Sequence, residues 1–130
     1  MRKINKLIVH CSATREGQDV TVETIRKWHV EGRGWSDIGY HFYIDIHGKI
    51  HKGRDIAKMG AHCKGYNRNS IGICYAGGVE QDGKTPADTR TFEQEEALLC
   101  VLRTLKAMYP DATIHSHRDF ANKACPSFDA

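Results

Sequence analysis

Short apolar segments, spread over the whole chain and separated by helical patterns, constrain the fold of this protein more than any other feature of its sequence. The first is Leu7-Ile8-Val9, which is rich in β-branched residues and ends at His10. The others run from Ser70 to Ala76 and from Ala112 to His117. Segments of this length and composition are typical of strands. Strands separated by helices predict an α/β domain, in which helices cover the faces of a sheet.

Two helical patterns lie between these strands. Thr91 and Gln94 have the spacing of a capping box, and an apolar stripe with helical period follows them. Pro110 ends that pattern. Earlier in the chain, Thr21 can cap a helix that runs to about Gly32.

A hairpin is predicted after the first helix. From His41 to Ile46 apolar and polar residues alternate, which places Phe42, Ile44 and Ile46 on one face. His47-Gly48 is a plausible tight turn into a short second strand. The predicted fold class is therefore α/β. It is a single domain over residues 1–130, with a central mixed β-sheet of about five strands and helices packed on its faces.

The composition is that of an ordinary globular protein. Of its residues, 40% are hydrophobic and 27% are charged, and the formal net charge is only +3. The basic residues are spread along the chain rather than gathered in a patch, so we expect no nucleic-acid partner. No apolar segment could span a bilayer, and the charged start is followed by a strand instead of a signal-peptide core. We therefore expect no membrane association, and synthesis in the cytoplasm without a signal peptide.

The five cysteines and eight histidines offer the most chemistry. The odd cysteine number and the absence of a CxxC motif argue against a disulfide framework and for a reducing compartment. His10 and His117 each lie at the carboxyl end of a predicted strand, where a side chain can emerge from the edge of the sheet. Cys125 follows eight residues after His117, on a loop that can fold back over the sheet.

Two imidazoles and one thiolate would form a three-ligand zinc set. Such a set leaves the fourth tetrahedral position to water or substrate, which is the catalytic rather than the structural arrangement. Ligands more than a hundred residues apart have no local signature, so other interpretations stay open. His10 can hydrogen-bond the backbone, Cys125 can be a buried hydrophobe, and His117 can lie on the surface. His115, predicted on the same face as His117, is a competing ligand candidate.

Two further polar residues could act beside a metal. The ammonium of Lys123 could stabilise the negative charge that develops on a tetrahedral intermediate. The hydroxyl of Tyr40, between Gly39 and His41, could orient an attacking water or stabilise the same charge. Alternatively, Lys123 is a solvated loop lysine and Tyr40 a half-buried core tyrosine.

Four segments carry a resemblance to a known family. In chain order they are Val9-His10-Cys11-Ser12-Ala13-Thr14, Ile38-Gly39-Tyr40-His41-Phe42, Gly60 to Ile73, and Ser116-His117-Arg118-Asp119 continued by Lys123 to Asp129. Together they resemble the zinc-dependent N-acetylmuramoyl-L-alanine amidases, the family that includes phage endolysins and peptidoglycan recognition proteins. The segments occur in the family's order, and the resemblance covers nearly the whole chain.

The resemblance implies a role for each candidate residue. The zinc ligands would be His10, His117 and Cys125, the catalytic pair Tyr40 and Lys123, and the substrate-binding residues His62 and Asn67. A cysteine as the last ligand is similar to the phage branch, whereas other branches carry aspartate. His41 would support the site. Four histidines match no functional position and would be structural or surface residues: His29, His47, His51 and His115.

The implied activity is zinc-dependent hydrolysis of the amide between the N-acetylmuramoyl lactyl group and L-alanine of the stem peptide. The implied cofactor is Zn²⁺, the substrate is peptidoglycan, and we expect a monomer. Closeness to endolysins implies a phage or prophage enzyme that reaches the cell wall after release through a separate membrane pore. Family chains continue past Ser127-Phe128-Asp129 into a closing helix, so this protein is either short or trimmed at its C-terminus.

Two alternatives belong to other functional classes. A non-catalytic peptidoglycan-binding module would share the fold and the groove but would lack a complete metal set. A thiol hydrolase would use Cys125 as nucleophile and His117 as base, and would work without metal.

Overall fold

A mixed sheet forms the centre of the computed structural model, which describes residues 2–130. The elements in these residues are, in chain order, β1 (Lys6–Cys11), β2 (Thr14–Arg15), α1 (Val22–Lys27), β3 (Phe42–Ile44), β4 (Ile50–Lys52), β5 (Ser70–Tyr75), β6 (Gly78–Val79), α2 (Phe92–Met108) and β7 (Thr113–Ser116). The main sheet has the order β4-β3-β5-β1-β7. Only the hairpin pair β3–β4 is antiparallel among the neighbours in this described sheet.

Alternation along the strands divides the buried side chains into two layers. Leu7 and Val9 of β1 point towards α2 and pack there with Ile71 and Ile73 of β5. His10 leaves the same strand on the opposite face, on which Tyr43 and Cys74 pack with α1. Each face of the sheet is thus covered by a helix. The predicted fold class is confirmed.

The helix α2 begins and packs as its sequence predicts. The hydroxyl of Thr91 accepts the N–H of Gln94 at 3.0 Å, and the side-chain oxygen of Gln94 accepts the N–H of Thr91 at 2.9 Å. Gln94 also donates its amide N–H to the carbonyl of Ala76 at 2.9 Å, just beyond β5. The capping box therefore both starts the helix and ties it to the sheet.

Two local predictions differ from the structure, and one small sheet was not predicted. The first helix keeps its regular form only as far as Lys27 and continues as a wider π-helical turn over Trp28–Gly32. The prediction that Ile46 shares a face with Phe42 and Ile44 is wrong, because β3 ends at Ile44. The carboxylate of Asp45 then accepts the N–H groups of two later residues and turns the chain, so that Ile46 packs on the α1 side. The small parallel sheet of β2 and β6 was not predicted.

Across the part of the chain that the structure describes, neither α-helix combines the length and apolar character that crossing a membrane requires.

Candidate metal centre

Strand register brings His10 and His117 together. β1 and β7 are parallel neighbours, and Val9 lies opposite Ser116. The next residue along each segment is a histidine, so both imidazoles leave the same edge of the sheet. β7 ends at Ser116 and His117 begins a 3-10 turn, which Asp119 stabilises by accepting the N–H of Ser116 at 2.9 Å. The Nδ1 atoms of the two histidines are 3.1 Å apart.

Cys125 reaches these histidines on a loop that is held down at several points. The carbonyl of Cys125 accepts the N–H of Arg118 at 2.7 Å, which closes the loop. Tyr75 donates its hydroxyl to the carbonyl of Pro126 at 2.7 Å, and Ser127 donates to Gly78 at 2.8 Å. As a result, the Cys125 Sγ lies 3.9 Å from His10 Nδ1.

The three donor atoms suit one metal ion. His10 Nδ1, His117 Nδ1 and Cys125 Sγ all lie within 4.8 Å of one another. Donors of a tetrahedral ion with bonds of about 2.0–2.3 Å lie about 3.3–3.7 Å apart, and the measured 3.1 and 3.9 Å are close to that range. Two imidazoles and a thiol are also the donor types that zinc prefers. This cluster could hold a metal ion.

His115 is not one of these candidate metal ligands. His115 pairs with Ile8 and lies one step back along β7, whereas His117 follows Ser116 at the end of the strand beside His10. The Nε2 atom of His115 lies 2.6 Å from the hydroxyl of Thr113, and its ring packs on Phe120. The group of residues that could hold a metal ion contains His117 and not His115.

Burial favours the neutral, metal-binding form of His10 and of His117. Burial, followed by the neighbouring His62 and His117, lowers the pKa of His10 well below its usual 6.5. Burial and the charge of Lys123 likewise lower the pKa of His117. Neutral imidazole is the form that binds metal.

The neighbourhood of Cys125 involves a second thiol. The Sγ atom accepts the backbone N–H of Cys11 at 3.1 Å. A hydrogen bond between the two thiols, together with burial, raises the pKa of Cys125 above its usual value. These surroundings favour the protonated thiol of Cys125 when no metal is bound, whereas a coordinating thiol is deprotonated outright by its metal.

His62 contacts one of the three candidate metal ligands, His10. Its Nδ1 atom is 2.8 Å from His10 Nε2, and its Nε2 atom is 3.1 Å from the hydroxyl of Ser70. Burial, followed by the neighbouring His41, lowers the pKa of His62 to about 3, so the ring is neutral. The side-chain oxygen of Asn67 accepts the N–H groups of His62 and Cys63, each at 2.9 Å, and so shapes the loop that carries His62.

Tyr40 packs beside His10. Its ring centroid is 5.1 Å from that of His10 and 5.5 Å from that of His29. Burial, with smaller contributions from nearby cysteines, raises the pKa of Tyr40 well above its usual 10. The phenol therefore stays neutral and can donate a hydrogen bond.

A cavity of about 640 Å³ opens above the cluster, and five of the seven predicted site residues contribute to its lining. Those five are Tyr40, His62, Asn67, His117 and Lys123. The two others lie below it: His10 is buried, and Cys125 is half-buried. Lys123 is exposed at the rim, and its charge contributes to the lowered pKa values of His10 and His117. The structure thus brings all seven predicted site residues into one region.

Sequence reasoning missed part of the cavity wall. His29, which was expected to be structural or on the surface, lines the cavity, and its Nδ1 accepts the N–H of Gly39 at 2.9 Å. Arg33 and Trp35 line it too, with the guanidinium 5.2 Å from the indole ring. Gly32 and Gly34 break the regularity of this segment, but nothing in the sequence indicates where it folds. Phe120 also lines the cavity.

The remaining histidines stabilise loops and turns. His41 Nδ1 accepts the N–H of Gly72 at 3.0 Å, and its Nε2 donates to the carbonyl of Lys58 at 2.8 Å. His51 lies 2.8 Å from the carboxylate of Asp45, which makes the turn after β3.

Comparison with known proteins gives a consistent result. The family model described as N-acetylmuramoyl-L-alanine amidase matches residues 1–128. The endolysins of Enterobacteria phage T3 and Escherichia phage T7 are each 49% identical to this chain over 123 residues, which are 95% of this chain and 80% of each endolysin. The solved structure of the N-acetylmuramoyl-L-alanine amidase LysC from Clostridium intestinale URNW is 30% identical. It superposes with a TM-score of 0.82 and covers 96% of this chain and 77% of LysC.

Proposed function

This chain belongs to the N-acetylmuramoyl-L-alanine amidase family and is a peptidoglycan amidase, and we propose that it works with one zinc ion held by His10, His117 and Cys125. The observation that carries this proposal is the convergence of two imidazole Nδ1 atoms and one Sγ atom below the cavity. When bound, zinc supplies a Lewis acid and lowers the pKa of a coordinated water towards about 7. The bond broken is the amide between the muramoyl lactyl group and L-alanine.

Two side chains act on the reacting carbonyl. The ammonium of Lys123, at the rim of the cavity, stabilises the negative charge that develops on the carbonyl oxygen when water adds to the carbon. The neutral phenol of Tyr40 orients that water or donates to the same oxygen. The tetrahedral species then collapses as the C–N bond breaks, and the amine of L-alanine leaves with the proton that the attacking water gave up.

The cavity suits a charged muropeptide. Its volume of about 640 Å³ is in the usual range for a ligand site. Arg33, Lys64 and Lys123 give its wall positive charge, which complements the carboxylates of a stem peptide. Asn67 and His62 line the same cavity and would contact the substrate.

The cellular setting follows from the endolysin relatives. We place the enzyme among phage or prophage lysis proteins, made in the cytoplasm and acting on the cell wall after release. In this proposal residues 1–130 form one catalytic domain that acts as a monomer.

Specific features disfavour the two alternatives. A non-catalytic binding module has no use for a complete donor set beside Lys123 and Tyr40. A thiol hydrolase needs a thiolate, but the neighbouring Cys11 and burial raise the pKa of Cys125.

The deciding experiment measures metal content and stem-peptide release from peptidoglycan, before and after chelation. We expect about one zinc per chain, loss of activity on chelation, and recovery on adding zinc. Cys125→Ser should lose metal and activity together, because it removes one of three donors. Persistent cleavage by metal-free protein, abolished by alkylation, would instead support the thiol mechanism. Bound zinc without cleavage would support a binding module.

A further inference from the structure

The imidazole of His62 is packed directly against the backbone of Gly60 and Gly72, beside His10. His62 is 9% exposed. A Cβ atom added at Gly72 would lie 2.6 Å from His62 Cγ, and one added at Gly60 would lie 2.8 Å from His62 Cδ2. Glycine at these two positions leaves the space that the ring occupies, so its orientation is closely defined.

Both ring nitrogens of His62 have partners, and the chemistry of the metal centre determines the direction of each hydrogen bond. His10 turns its Nδ1 towards His117 and Cys125, so as a ligand this atom is unprotonated. The proton of neutral His10 is then on Nε2, which donates to His62 Nδ1 at 2.8 Å. His62 in turn carries its own proton on Nε2 and donates to the hydroxyl of Ser70 at 3.1 Å.

We propose that His62 is a positioning residue of the metal centre, which holds His10 in the Nε2–H tautomer with its Nδ1 aimed at the metal. The inference rests on the proposed zinc function of His10. Metal-binding histidines are generally oriented by an acceptor on their second ring nitrogen, and His62 supplies that acceptor here. Because its nitrogens are engaged by His10 and Ser70, His62 meets substrate with carbon atoms alone, and its main effect is on the metal.

The loop around His62 is built to keep this acceptor in place. Asn67 binds the backbone N–H groups at His62 and Cys63. Arg2 connects the two flanks of this loop, because it donates to the carbonyl of Ser70 at 2.9 Å and to that of Ile56 at 2.8 Å. Ser70, the second partner of His62, is fully buried at the start of β5.

Two amide substitutions test the two ring nitrogens of His62 one at a time. In His62→Asn the side-chain oxygen can occupy the position of Nδ1 and still accept from His10. In His62→Gln the amide lies near the position of Nε2, so it can reach Ser70 but not His10. We therefore expect His62→Gln and His62→Ala to weaken zinc binding about 10–100-fold, and His62→Asn to stay close to wild type.

The test measures zinc affinity by competition with a chelating indicator, together with kcat, KM and thermal unfolding of the metal-free variants. His29→Ala is the matched control, because His29 lines the same cavity without contacting a ligand, and it should leave zinc affinity unchanged. Comparison of the Asn and Gln variants keeps the test decisive even if His62→Ala fails to fold.

Two results would overturn the inference. Equal, wild-type zinc affinity in the Asn and Gln variants would mean that His62 does not orient His10. A raised KM with unchanged zinc affinity would make His62 a substrate contact instead. The wild-type measurement separates these results from failure of the proposed function, since a wild-type chain that bound no zinc would overturn the metal centre itself.

Discussion

At the residue scale, the candidate site combines buried neutral groups with exposed cations. Burial lowers the pKa of His10 and raises that of Tyr40, so both are uncharged near neutral pH. Lys123 has a different setting, since it is exposed and lines the cavity. A positive charge in that position can act on charge that appears only during the reaction.

Lys123→Ala should therefore affect turnover rather than metal binding. We expect kcat to fall about 10²–10³-fold, as when one electrostatic contact to an oxyanion is removed, with zinc content unchanged. The measurement is steady-state release of stem peptide alongside metal analysis. Lys84→Ala, on the exposed loop before α2, is the control and should keep full activity. A fully active Lys123→Ala variant would remove Lys123 from the mechanism.

At the element scale, α2 is tied to the sheet through its N-terminus. The capping box of Thr91 and Gln94 satisfies two backbone N–H groups, and Gln94 continues to the carbonyl of Ala76 beside β5. Apolar residues along the helix then cover the face of the sheet that points away from His10. The helix stabilises the strand that bears His10 without contributing a residue to the cavity lining.

Thr91→Ala should lower the stability of the fold and leave catalysis unchanged. Loss of the cap is expected to lower the free energy of unfolding by about 1 kcal/mol, measured by urea denaturation. The matched control is Thr104→Ala in the exposed middle of α2, where the hydroxyl bonds the carbonyl of Cys100. That change should be close to neutral, because alanine favours helix and the lost bond is a local one. Equal destabilisation by both substitutions would contradict a specific role for the cap.

At the scale of the whole molecule, buried histidines couple folding to pH. Burial lowers the pKa of His29 and of His41 to about 4, and that of His62 to about 3. In the unfolded chain each group has a pKa near 6.5 and binds a proton more readily than in the folded protein. Their contribution to stability is therefore present above pH 6.5 and is lost as the pH falls towards about 4 for His29 and His41 and about 3 for His62.

Metal-free protein should accordingly unfold more easily with acid well before its carboxylates titrate. We expect the urea midpoint to fall steadily between pH 7 and pH 4.5. His41→Asn should make this decline shallower, because the amide oxygen can still accept the N–H of Gly72 while the titrating group is gone. A midpoint that does not change over this range would contradict the coupling.

Local sequence determined much of the element layout, because the forces that decide it act over a few residues. The capping box at Thr91, the hairpin after His41 and the β-branched strand before His10 are each specified by neighbouring side chains. A resemblance spread over four segments then indicated the family and the seven candidate residues.

Only the tertiary structure decided which of these residues meet. The pairing of β1 with β7 joins residues more than a hundred positions apart, and its register places His117, rather than His115, beside His10. The contact of His62 with His10, and the entry of His29 into the cavity wall, depend on how loops fold over the sheet. Such contacts arise from packing between distant segments, and no periodicity or spacing along the chain encodes them.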